Sequence, residues 1–108
     1  EGSYYCTHWH QNSTNAKSLK FVEKYKSFSR QFDPATALAE DCVYLFADAV
    51  MRAQSFDPPK IRDAIAATEN FQGVTGTISF DGNGDPIKSA VILKFENGTS
   101  VYVKNVEP

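Results

Sequence analysis

The apolar positions of this chain change period along its length, and the changes mark its elements. Tyr4, Tyr5, Cys6, Thr7 and Trp9 favour extended backbone, so Ser3 to Trp9 is predicted as a strand. The polar cluster Gln11-Asn12-Ser13-Thr14-Asn15 suits a loop and a helix N-cap. Beyond it, Phe21, Val22, Tyr25 and Phe28 recur at three- and four-residue steps, which predicts a helix running through Phe28. Lys17, Lys20 and Lys24 take its wet side. Asp33-Pro34 breaks the pattern, because a residue before proline avoids helical geometry.

From Ala35 to Ala53 the helical period is strongest. Leu38, Cys42, Leu45, Phe46, Ala49, Val50 and Ala53 make a stripe broad enough to predict a helix covered by neighbours. Asp57-Pro58 opens a third helix, with Asp57 as N-cap and Ile61, Ala64, Ile65 and Thr68 facing inward. After Asn70 the period falls to two: Val74, Gly76, Ile78 and Phe80 alternate with Thr75, Thr77 and Ser79 as one strand. Asp81 to Asp85 is a turn by composition. Ala90 to Phe95 is a strand, Asn97-Gly98 a hairpin signal, and Val101 to Val103 a last short strand. The expected fold is α/β: one strand, three helices, then three strands.

Composition adds boundaries. The chain has 108 residues, sufficient for one modest core, and a net charge of -2 with scattered lysines argues against a nucleic-acid partner. The longest apolar run, Cys42 to Met51, is broken by Asp48 and is too short to span a bilayer. No signal peptide is visible, yet the chain starts at Glu1, as a processed or excised product would. A bridge between Cys6 and Cys42 is left open by sequence alone. Asn12-Ser13-Thr14 and Asn97-Gly98-Thr99 both fit the N-glycosylation pattern at expected turns.

Candidate chemistry is thin. On a strand, Cys6, His8 and His10 would share one face as a weak zinc or copper set, although neighbours on a flat strand converge poorly on one ion. Asp81, Asn83 and Asp85 imitate a calcium loop until Pro86 replaces its glycine and Ile92 its glutamate. Cys6 and the histidines lack an orienting carboxylate, no phosphate loop is present, and Glu40-Asp41 reads as a pair of solvated or capping charges. These observations predict a binding module without cofactor, not an enzyme.

The order of motifs resembles a known family. The runs Phe21 to Lys26, Asp41 to Val50 and Ile61 to Thr68 resemble the C-terminal region of branched-chain amino-acid-binding proteins, the type I periplasmic binding proteins of ABC transporters. The run Phe71-Gln72-Gly73-Val74-Thr75-Gly76-Thr77-Ile78-Ser79-Phe80-Asp81-Gly82-Asn83-Gly84-Asp85-Pro86-Ile87-Lys88 is the most specific. The resemblance implies a partial lobe of a two-lobed protein whose three crossovers flank a ligand cleft. Residues 7–12 would form a crossover, about 13–87 part of the first lobe, and about 88–108 the return to the second. It further implies a periplasmic or extracellular location, an amino acid or similar small carboxylate as ligand, and an ABC permease as partner. Thr7 and His8 near the crossover, and Ala35, Thr36 and Ala37 at the long helix's start, are the implied cleft candidates. Two departures stand out: Glu40 replaces the aromatic residue common before the helix aspartate, and Gln31 to Ala37 is short. A fragment of such a fold would expose apolar faces and strand edges, so self-association of a stand-alone short protein is the alternative expectation.

Overall fold

The chain builds a sheet half and a helical half, and passes between them at residues 8–15 and 88–89. The structure, a computed structural model, describes residues 1–28 and 32–108. In chain order these residues form β1 (Tyr4–Thr7), α1 (Ala16–Tyr25), α2 (Pro34–Ala53), α3 (Pro58–Ala66), β2 (Phe71–Gly73), β3 (Gly76–Phe80), β4 (Pro86–Ile87), β5 (Ala90–Glu96) and β6 (Thr99–Val106). One antiparallel sheet has the order β1-β5-β6, and the other β2-β3-β4.

Local signals explain the helix ends. Asn15 caps α1 by accepting the Ser18 N–H at 2.9 Å. Asp33 caps α2 by accepting the Ala35 N–H at 2.7 Å, with Pro34 at the position where a missing N–H is harmless. Gln54 ends α2 in the left-handed region, with φ 49°. Asp57 precedes α3 as expected, but its side chain makes no cap bond.

The core of the helical half is aromatic. Trp9, Phe21, Ala37 and Val74 form one buried cluster, with Val22, Tyr25 and Phe32 packed against it. Trp9 is only 1% exposed and meets Phe21 edge-on, with ring centroids 5.3 Å apart. Its indole N–H donates to the buried Ser18 hydroxyl at 2.7 Å, so the ring enters the core with its one polar group satisfied.

Several sequence expectations need correction. The first strand stops at Thr7, because Trp9 turns into the helical core instead of continuing β1. α1 ends at Tyr25, and Phe28 lies beyond it, exposed. The expected strand from Val74 to Phe80 is a hairpin, β2-β3, whose two-residue turn is Val74-Thr75. The last strand extends to Val106, and Pro86–Ile87 adds a short β4, giving five strands after the helices. The stripe on α2 is covered on one side only: Ala37, Asp41, Leu45 and Ala49 are buried, whereas Cys42 is exposed and Phe46 is 52% exposed. Cys6 and Cys42 are both free and exposed, so they are not bridged. Gln31, which heads the shortened segment before α2, lies outside the described residues.

The hairpin turn is held by Asp41, which sits on the inner face of α2 and is only 4% exposed. Its carboxylate accepts the Val74 N–H at 2.6 Å, the Thr75 N–H at 2.9 Å and the Thr75 hydroxyl at 2.6 Å. It is therefore not the solvated charge expected from sequence. A buried carboxylate is tolerable when donors replace its lost water, and three do so here. Gly73 gives it room: a Cβ at that position would lie 2.7 Å from a carboxylate oxygen. Lys88 reaches the same turn, donating to Thr75 Oγ1 at 2.6 Å. Burial pushes its ammonium below the ordinary range, and Asp41 partly offsets this.

Asp41→Ala would leave two buried backbone N–H groups without partners, at a cost of about 3 kcal/mol. Gly73→Ala is expected to destabilise in the same direction, by pressing a methyl group onto that carboxylate. Urea unfolding of both variants checks this; midpoints equal to the parent's would show that the turn does not depend on Asp41.

Candidate functional site

A groove opens where the β1-β5-β6 sheet meets the helical half. Its volume is about 330 Å³, and three parts of the chain build it. The sheet contributes Tyr5 and Thr7 from β1, Leu93 from β5 and Ser100 from β6. The segment leaving β1 contributes Trp9, His10 and Gln11, and the approach to α2 contributes Phe32 and Pro34.

Strand register determines which side chains face it. Tyr5 pairs with Leu93, and Leu93 pairs with Tyr102, so these residues share one face of the sheet. Tyr5 and Ser100 are joined on that face by a hydrogen bond between their hydroxyls. Tyr4, Lys94 and Val101 share the opposite face. Lys94 bonds Glu96, which raises its pKa above the ordinary value, and its ammonium also lies over the Tyr4 ring. Among the described residues no Asp, Glu, Lys or Arg lines the groove. Its wall is thus aromatic, aliphatic and neutral polar, a surface suited to an apolar group.

His10 is the groove's imidazole. It is half-buried, its ring stands 6.3 Å from that of Tyr102, and its Nδ1 accepts the Asn12 N–H at 3.3 Å. Nδ1 being an acceptor, the neutral ring carries its proton on Nε2. Burial holds the His10 pKa below its ordinary value of 6.5.

The sequence-derived candidates separate. Thr7 lines the groove, while His8 is exposed beside it and does not. Ala35 and Thr36 are exposed on the first turn of α2, and Ala37 is fully buried against the aromatic core. Phe32 and Pro34 reach the groove instead. Because β1 ends at Thr7, Cys6, His8 and His10 do not share a strand face. Among the described residues no group of three or more His, Cys, Asp or Glu could hold a metal ion. Asp81 spends its carboxylate on the backbone N–H groups of Asn83 and Asp85, at 2.8 and 2.9 Å. Those bonds, with Asp85's foremost, hold its pKa low and make it a turn residue. Glu40, standing where the family carries an aromatic residue, pairs with Lys24 at 3.2 Å, and this bond raises the lysine's pKa. Sequence reasoning overlooked Trp9, Phe32 and Leu93 as groove residues; alternation within β5 was the one available signal, since the other two depend on tertiary packing.

No protein-family model matches the chain. Solved structures do match it. A leucine-binding protein from Thermotoga maritima aligns with 100% of the chain at 38% identity and TM-score 0.87. A branched-chain amino-acid transporter substrate-binding protein from Streptococcus pneumoniae, solved with isoleucine, aligns with 97% at 29% identity and TM-score 0.82. A solute-binding protein of an ABC transporter from Rhodopseudomonas palustris, solved with benzoate, shares the fold at 20% identity and TM-score 0.80. The chain spans about a third of these proteins, 31%, 30% and 31% of their lengths. Fold and sequence together define the class, part of a type I periplasmic-binding-protein lobe. Within it, the match is to the leucine and branched-chain amino-acid-binding proteins of ABC transporters.

The lowered His10 pKa carries a sign for stability. Below the ordinary value of 6.5 the unfolded chain binds a proton that the folded chain resists, so stability falls as pH drops through that range. Thermal melts across the acid range are expected to show this loss, and His10→Gln to reduce it. An identical pH profile in the variant would show that His10 does not contribute.

Proposed function

We propose that this chain is the C-terminal segment of an extracytoplasmic solute-binding protein that delivers an amino acid or similar small carboxylate to an ABC permease. On this reading residues 7–12 and the stretch near Lys88 are crossovers between two lobes, and the groove at their junction is part of the cleft wall. One observation carries the reading: a groove with no Asp, Glu, Lys or Arg among its described lining lies where the sheet half and the helical half meet, beside the first of those passages. Sequence similarity to leucine- and isoleucine-associated proteins favours a branched apolar solute. Tyr5, Thr7, Trp9 and Leu93 would surround its side chain. The action is capture by lobe closure, with no bond made or broken. Among the described residues no helix is long and apolar enough to cross a membrane.

Self-association of the short chain is a second reading, favoured by the exposed Val43, Phe46 and Met51 on α2.

Both readings are tested on the natural gene product that contains this chain, by intact mass and by calorimetric titration with leucine, isoleucine and valine. The proposed function expects a mass well above 12.0 kDa and saturable binding to at least one of the three. A natural product of that small mass which binds none of them and grows in size with concentration would replace it with self-assembly.

A further inference from the structure

We propose that His10 is a proton-sensitive determinant of solute binding: a neutral hydrogen-bond donor in the groove whose protonation weakens capture. The inference rests on the reading of the groove as cleft wall given above.

Geometry leaves the ring little alternative. With Nδ1 engaged by the Asn12 N–H, Nε2–H is the side chain's one donor. A second proton would go to Nδ1 and set two donors against each other at the present 3.3 Å contact. It would also bring a positive charge into the groove, where no Asp or Glu is among the described lining residues. From β1 the titratable group on this face is Tyr5, and from β6 it is Tyr102; β5 presents Leu93. The approach to α2 presents Phe32 and Pro34, while Asp33 between them turns its carboxylate to the Ala35 N–H. Lys104 pairs with Ile92, and Lys94 with Tyr4, so both register positions belong to the other sheet face. Burial lowers the His10 pKa, in line with the half-buried place of its ring.

A solute lying in the groove would remove more water from the ring and disfavour the imidazolium further. Binding and protonation then oppose each other. Linkage requires the affinity to fall as pH drops, approaching about tenfold per pH unit once the free protein's His10 is protonated. Exposed His8 lies outside the groove and supplies an internal comparison.

The experiment measures the leucine dissociation constant of the full natural protein from about pH 7.5 down to about pH 4.5, a range chosen to bracket imidazole titration. The same series is run on His10→Gln, whose amide keeps a donor but takes up no proton. Weakening at acid pH in the parent, reduced to a flat profile in the variant, is the expected result. Equal slopes in both chains would overturn the role of His10. An absence of saturable leucine binding even at the neutral end would instead overturn the cleft reading on which it rests. As a check that needs no variant, the His10 ring is titrated by NMR with and without leucine. Its midpoint is expected to move to lower pH with leucine while that of His8 stays fixed; an unmoved His10 midpoint also overturns the proposal.

Discussion

A single buried carboxylate organises the helical half. Asp41 lies in the second turn of the long helix, and its oxygens are taken by the Val74-Thr75 turn. A helix touching a hairpin through apolar side chains alone could slide along it, since dispersion contacts are weakly directional. Three short hydrogen bonds to one carboxylate permit no such slide. The constraint passes outward from there. The Val74 carbonyl accepts from the Asn15 amide at 3.2 Å, and Asn15 is the residue that caps α1. Thr75 is also the partner of Lys88, which lies where the chain passes toward the second sheet. α1, α2, the hairpin and the later passage are therefore tied at one turn.

Trp9 transmits that arrangement to the groove. It belongs to the core through Phe21, Ala37 and Val74 and to the groove wall as well. Its indole N–H is fixed on Ser18, in the turn of α1 that Asn15 caps. The residues just after β1 thus inherit their position from the helical half, while Tyr5 and Thr7 just before them belong to the sheet. His10 follows directly on this junction. Its half-burial is a consequence of Trp9 being pulled inward, not of any local preference of the His8-Trp9-His10 sequence.

What was legible in the sequence follows from the range of the interaction involved. Helix starts were readable because caps are local: Asn15 and Asp33 act within three residues of themselves. The Asp81 turn and the Asn97-Gly98 hairpin were readable for the same reason. The Val74-Thr75 turn was not, because Val and Thr are strand formers and only a carboxylate 33 positions away turns them. The burial of Asp41 was hidden for the complementary reason: a charged residue reads as solvated unless its donors are known. Similarity of the run from Phe71 to Lys88 identified the class, yet periodicity within that run assigned Val74 to Phe80 to a single strand. At the site, Thr7, singled out with His8 for its place near the expected crossover, lines the groove. Ala37 packs in the aromatic cluster with Trp9, and Pro34, one turn earlier, lines the groove.

The lack of Asp, Glu, Lys and Arg among the groove's described residues limits what they could do within the proposed function. A free amino acid carries an ammonium and a carboxylate, and burying either without a partner is prohibitively costly. The groove's aromatic and aliphatic wall could receive an apolar side chain, but its described residues include no Asp, Glu, Lys or Arg to neutralise those two charges. Any capture of such a solute must therefore draw its polar clamps from surfaces facing this groove rather than from the groove itself. That division fits a chain spanning about a third of the proteins it matches. On the proposed function, selectivity and affinity would fall to different parts of the molecule: side-chain fit to the wall built by β1, Trp9 and β5, and most of the binding strength to charges brought in by closure.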